Sequence, residues 1–190
     1  MTKQRPSGRR AFLSWMAQLG VASAACAQQV PASDGRLVSA RPRVPSPHGH
    51  GDIAGYFVRP RPRAGASGPE TLPAVLVLAE GRELTPPVED VARRVALESF
   101  MVLAPDLMGR GDPARLTEDI HAAALWLKQH ADSTGRLGVI GVGASGMLAR
   151  ALAARMGREL HAVVFFDDAA PASTDGTWER GMLSLIKSLT

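Results

Sequence analysis

Four short and almost unbroken apolar runs recur along this chain, each bounded by turn residues. They are Pro73-Ala74-Val75-Leu76-Val77-Leu78, Phe100-Met101-Val102-Leu103-Ala104, residues 137–140 and residues 161–166. A run of this length with no polar alternation is expected to be a strand covered on both faces, which points to a parallel sheet. The segments between the runs change period. Residues 88–98 place Val91, Val95 and Leu97 on one side and Arg93, Arg94 and Glu98 on the other, as an amphipathic helix does. Residues 117–130 read as a second helix, with Thr117 as its cap, Asp119 suited to the dipole, and Ile120, Ala124 and Leu127 sharing a face. Residues 144–156 and 178–189 give two more helices, and residues 52–58 one further short strand. Strands alternating with helices through short loops predict a doubly wound parallel sheet in a three-layer α/β/α sandwich, wound through right-handed crossovers.

The first 27 residues belong to a different class of segment. Lys3, Arg5, Arg9 and Arg10 precede an apolar, small-residue stretch that ends in Ala25-Cys26-Ala27, with no acidic residue throughout. A basic start, a short apolar middle and a small-residue exit have the form of a cleavable export signal. The middle is too short, and too rich in Ser, Gln and Gly, to span a bilayer. Gly8-Arg9-Arg10-Ala11-Phe12-Leu13 also carries the twin-arginine pattern, so export through the Tat machinery to a periplasm or beyond is expected. Those four basic residues account for the +4 formal charge of the whole chain, so residues 28–190 net to zero. Such a balance offers no persistent basic face for a nucleic acid. The Arg-Pro alternation at 41–43 and 59–63 reads as stiff solvated loop. Cleavage would remove Cys26, the sole cysteine, leaving no disulfide, thiolate nucleophile or cysteine-bound metal. Residues 28–50, rich in Pro, Ser, Gly and Arg, read as a flexible arm, and residues 51–190 as one domain.

Several ordered blocks of that domain resemble the dienelactone hydrolase family of α/β hydrolases. Pro73 to Glu80 is similar to the family's strand and acidic turn, and Val88-Glu89-Asp90-Val91-Ala92-Arg93-Arg94 to its next helix. Val102-Leu103-Ala104-Pro105-Asp106-Leu107-Met108-Gly109-Arg110 is the most specific match, and Leu137-Gly138-Val139-Ile140-Gly141 resembles the strand that leads to the nucleophile. The resemblance covers residues 52–168, with a shortened loop near Gly111. It implies ester or lactone hydrolysis through an acyl-enzyme, a small ester or lactone as ligand, and no cofactor. The nucleophile would stand on a sharp strand-to-helix turn, aiming the next backbone N–H at the developing oxyanion.

Here that turn reads Gly141-Val142-Gly143-Ala144-Ser145, and Gly143 occupies the nucleophile position without a side chain. By the resemblance, Ala144 and Gly81 would supply the oxyanion N–H groups, and Glu80 matches the family's acidic residue near the nucleophile. The triad's acid and histidine belong on strands beyond Thr190, so the fold is expected to lack its C-terminal strands. His161, the one histidine after the turn, opens a strand at the wrong end. Weak or absent hydrolysis is the expectation. Ser145, two residues past the elbow, is either a stand-in nucleophile or a serine satisfying a free backbone N–H in the helix's first turn.

Two other function classes stay open. Gly141-x-Gly143-x-x-Gly146 fits the dinucleotide fingerprint, between strand and helix, with Asp167 21 residues beyond Gly146 as the ribose-binding acid. A non-catalytic small-molecule binder on the hydrolase scaffold is the other. His48-Gly49-His50 reads as loop, and no metal is expected.

Overall fold

Leu72–Leu78 (β4) and Met101–Pro105 (β5) lie side by side at the centre of a sheet, β5 buried along its whole length. This computed structural model describes residues 30–63, 65, 70–166 and 177–189, without the side chains of residues 80 and 177–179. The remaining strands are Leu37–Ala40 (β1), Arg43–Val44 (β2), Ile53–Pro60 (β3), Ser133–Val142 (β6) and Ala162–Phe166 (β7). The sheet runs β1-β3-β5-β4-β6-β7, with β2 pairing β3 off that path. β5, β4, β6 and β7 are parallel to one another.

Among the described residues, four α-helices cover the two faces: Pro86–Leu97 (α1), Pro113–Lys128 (α2), Gly146–Met156 (α3) and Thr177–Leu189 (α4). Side-chain alternation along each strand decides which helix it meets. Val75, Val77, Val102 and Ile140 pack with Val91 and Val95 of α1 and with Leu185 and Leu189 of α4. Ala74, Leu76, Leu103 and Val139 pack with Ile120, Ala124 and Leu127 of α2 and with Leu152 of α3. The doubly wound α/β arrangement expected from the alternating periods is what these contacts build.

In three places the structure departs from the expectation. The sheet is mixed, because β3 runs antiparallel to both β5 and β1. An apolar run has the same composition in either direction, and an antiparallel edge on a parallel sheet is common. Residues 30–50, expected as a loose arm, carry β1 and β2, and Val30 is pinned at both ends of its backbone. Its N–H donates to Asp90 Oδ1 at 2.8 Å, and its carbonyl accepts from Arg93 Nε at 2.7 Å. Backbone pairing and buried polar groups hold this segment, and neither leaves an apolar period in sequence. Asp112, not Thr117, caps α2: its carboxylate accepts from Ala114 N and Arg115 N. Thr117 is inside the helix, with Oγ1 donating to Pro113 O at 2.9 Å. The expected export segment, residues 1–27, lies outside the described residues.

Candidate active site

In an open α/β sheet the functional edge is the one where the parallel strands end, because loops and helix N-termini gather there. Three such ends meet here. β4 runs into a tight turn at Glu80–Arg82, β5 into the loop 106–112, and β6 into the turn Gly143–Ser145 that opens α3. The first and third turns touch. Arg82 joins the second to them, its carbonyl accepting from Leu107 N at 2.8 Å and its Nη1 donating to Arg110 O at 2.9 Å.

Gly143 adopts φ +60°, the left-handed backbone conformation that favours glycine and that sharp strand-to-helix turns use. The elbow geometry is therefore present at the position where the side chain is missing. Gly141, at the end of β6, allows close packing: a Cβ there would stand 3.3 Å from Gly146 Cα and 3.3 Å from Phe165 Cδ1. Gly141 and Gly146 of the dinucleotide pattern thus also serve the close approach of α3 to the strand end. Asp167, the fingerprint's acid, lies outside the described residues.

Ser145 is 3% exposed, and its hydroxyl lies 2.7 Å from Leu78 O and 2.8 Å from Val142 O. The hydroxyl proton thus joins the ends of β4 and β6. Ser145 precedes α3, but its side chain caps no helix N–H. The reading in which it satisfies a free N–H is corrected accordingly: it donates to carbonyls. Buried, and with its proton directed at two backbone carbonyls, the hydroxyl is not paired with a base that would activate it. Ala144 is exposed at the elbow, and Gly81 has φ +69° with open space where a Cβ would be. Of Glu80 only the backbone is described, as the first residue of its turn. His161 is exposed at the start of β7, with Nδ1 accepting from Leu137 N at 3.4 Å, at the sheet edge opposite the elbow.

Sequence reading missed a second group on this edge. Asp119, expected to suit the helix dipole, has a side chain with 0% exposure. Oδ1 accepts from His50 N at 3.0 Å, while Oδ2 lies 2.7 Å from His50 Nδ1 and 3.1 Å from Arg110 Nη1. Burial pushes this carboxyl up. Hydrogen bonds from the His50 backbone and ring, with the neighbouring Ser46 hydroxyl and the Arg110 charge, outweigh that and hold it below the usual carboxylate value. One sequence signal was available. Asp119 falls on the apolar stripe of Leu116, Ile120, Ala123 and Leu127, where an acid needs a partner.

His48 lies apart from this cluster. It lines a cleft of about 410 Å³ between residues 45–48 and the outer face of α2, together with His121, Leu125, Trp126 and the Glu118–Arg155 ion pair. Burial and the neighbouring Arg155 lower the His121 pKa. No residue of the elbow or of the Glu80–Arg82 turn lines this cleft, so it is a separate feature. Among the described residues, no three His, Cys, Asp or Glu side chains gather as a metal site would require. No described helix is long and apolar enough to cross a membrane.

No protein-family model matches the chain. Over 82 residues it is 45% identical to the "Putative hydrolase fragment YghX" of Escherichia coli (strain K12), covering 43% of this chain and 66% of that one. Among solved structures it is similar to the "Putative Dienelactone Hydrolase" of Klebsiella pneumoniae subsp. pneumoniae MGH 78578. There the TM-score is 0.55 at 25% identity, over 67% of this chain and 58% of the other. The dienelactone hydrolase of Anabaena variabilis ATCC 29413 aligns with TM-score 0.55 at 20% identity, over 68% and 63% of the two chains. A bacterial heroin esterase aligns with TM-score 0.59 at 20% identity, over 82% and 50%. The chain spans less than two thirds of the length of each of these proteins. Its sheet is part of the α/β-hydrolase fold, its structural neighbours are dienelactone hydrolases and esterases, and its relative in sequence is hydrolase-like.

Proposed function

We propose that this chain is an exported protein on the dienelactone-hydrolase framework that receives small esters or lactones but does not process them through an acyl-enzyme. The observation that carries this reading is the elbow. Gly143 holds the backbone geometry of a nucleophile turn and offers no atom to attack a carbonyl. The nearest hydroxyl, that of Ser145, is buried against two strand-end carbonyls. The similarity to a hydrolase relative and to esterase structures supports the substrate class.

Two experiments test the two halves of the proposal. Burst kinetics with p-nitrophenyl acetate should show no stoichiometric release of nitrophenol, because no covalent intermediate accumulates. A burst equal to the enzyme concentration would overturn the reading. For export, replacing Arg9 and Arg10 together by lysine should leave precursor in the cytoplasm, since that pair is the signal's defining element. Undiminished export of the double variant would exclude the twin-arginine route.

A further inference from the structure

We propose that His50, oriented by Asp119, is a general base of this chain and activates water against a carboxylic ester at the same edge of the sheet as the empty elbow. The site is built around a carboxylate. Residues 46–51 close on themselves through Gly49 N to Ser46 O at 3.1 Å and Gly51 N to Ser46 O at 3.2 Å. This brings Gly49 against Asp119 so closely that a Cβ at Gly49 would stand 2.0 Å from Oδ1. Only glycine fits there. The loop is thereby wrapped on the acid, and His50 is held at two points, its N–H on Oδ1 and its Nδ1 on Oδ2.

That second contact fixes the tautomer. A carboxylate held below its usual pKa accepts, so Nδ1 carries the proton and Nε2 presents its lone pair. No described residue partners Nε2, and the His50 side chain is 22% exposed, enough for water to reach the ring. Arg110 completes the orienting group: Nη1 binds Oδ2, and Nη2 donates to Asp52 O at 2.8 Å. A base whose far nitrogen is locked by a buried acid is the arrangement that hydrolytic sites use to aim an imidazole.

The position also suits the task. His50 and Asp52 lead into β3, whose Gly55 pairs with Pro105 at the end of β5, on the functional edge. Arg110 is tied through Arg82 to the turn that touches the elbow. In the reaction, Nε2 takes a proton from water as the water oxygen bonds to the ester carbonyl carbon, and the carbonyl π electrons move to oxygen. Collapse of that adduct breaks the bond to the alcohol oxygen, which takes the proton back from Nε2–H. Acid and alcohol leave, with no acyl-enzyme and no redox change.

A purely structural clasp would have the same contacts, so the test needs a readout that folding alone does not move. The full chain, His50→Ala and Asp119→Asn are compared on p-nitrophenyl acetate, with circular dichroism melts on each. The wild type should turn over slowly and without a burst, with a normal solvent deuterium isotope effect. His50→Ala should lose on the order of 100-fold in kcat/KM, the usual contribution of a positioned base. Once imidazole's own reaction with the ester is subtracted, added imidazole should restore that loss in His50→Ala and leave the enzymatic rate of the wild type unchanged. Asp119→Asn, as a positioning variant, should lower kcat with little change in KM. Burst-free turnover that is indifferent to His50→Ala would overturn this inference and leave the reading of the elbow intact. So would absent turnover, or a loss that imidazole does not restore. A burst would overturn the reading of the elbow instead.

Discussion

The elbow and the loop 46–51 stand on one edge of one sheet and treat their polar groups in opposite ways. At the elbow, the Ser145 hydroxyl is turned inward to join the ends of β4 and β6, and the residue at the turn itself has no side chain. In the loop, two backbone turns and a glycine contact exist only to surround one carboxylate and fix one imidazole. The first region has the backbone of a reaction site without the reacting group. The second has a reacting group held as such sites hold theirs, on a segment with no apolar pattern. Fold geometry and chemical competence therefore separate here, and a site has to be judged by its side chains.

The largest expected effect breaks the second region. Asp119→Ala removes the buried acceptor of His50 and Arg110 and leaves the half-buried guanidinium without its counter-charge. Breaking one side of a buried pair costs about 3 kcal/mol or more, and urea denaturation should show it as a lowered midpoint. The same group gives a pH signature. Its folded pKa lies below the ordinary 3.8, so its stabilisation is complete above that value and drains as pH falls from 3.8 toward the folded pKa. Acid titration of stability should accordingly be shallower in Asp119→Asn than in the wild type. An unchanged acid limb in that variant would show that the carboxylate is not held as described.

Much of the sheet was legible because covered strands and amphipathic helices leave periods in sequence. β4, β5 and the helices follow directly from Val75, Leu76, Val102, Leu103, Ile120 and Leu127. The direction of β3 was not legible, since Tyr56, Phe57 and Val58 are apolar whichever way they run. β1 was hidden for another reason: of its four residues only Leu37 is buried, and its order comes from backbone pairing with β3. At the elbow, a turn position without a side chain was visible in Gly143 itself. The His50–Asp119 pair was not, because its members lie 69 residues apart and meet only when residues 45–51 fold back on α2.

A smaller effect tests whether Ser145 is structural. Ser145→Ala deletes the hydroxyl that ties Leu78 O to Val142 O. Losing one buried hydrogen bond should lower stability by about 1–2 kcal/mol, read from the thermal midpoint. Ester turnover measured below that midpoint should not change, because the oxygen was never offered to substrate. Turnover abolished in a folded Ser145→Ala would reverse the comparison and make the elbow's neighbour the nucleophile.

The smallest cost attends the change that puts chemistry back where the backbone expects it. Gly143→Cys introduces a Cβ at φ +60°, which costs about 1 kcal/mol of backbone strain, far less than the loss of Asp119. The new thiol would stand at the turn that opens α3, near its free N–H groups, where partial ionisation is favoured. It should therefore alkylate faster than free cysteine and take one acetyl group from p-nitrophenyl acetate. Turnover through the new thiol should then stall, leaving after the burst only the slow rate that His50 supports in the wild type. No described imidazole stands at the elbow, since His161 is at the opposite end of the sheet and His50 lies beyond the Glu80–Arg82 turn and the loop that follows β5. Mass spectrometry should find a stable acetyl adduct that matches a single burst. Rapid deacetylation would mean that a base already serves the elbow, and the separation of backbone from chemistry at this edge would then be only one atom deep. An unreactive thiol would place the fault in the turn itself, whose N–H groups would not be aimed as a nucleophile elbow requires.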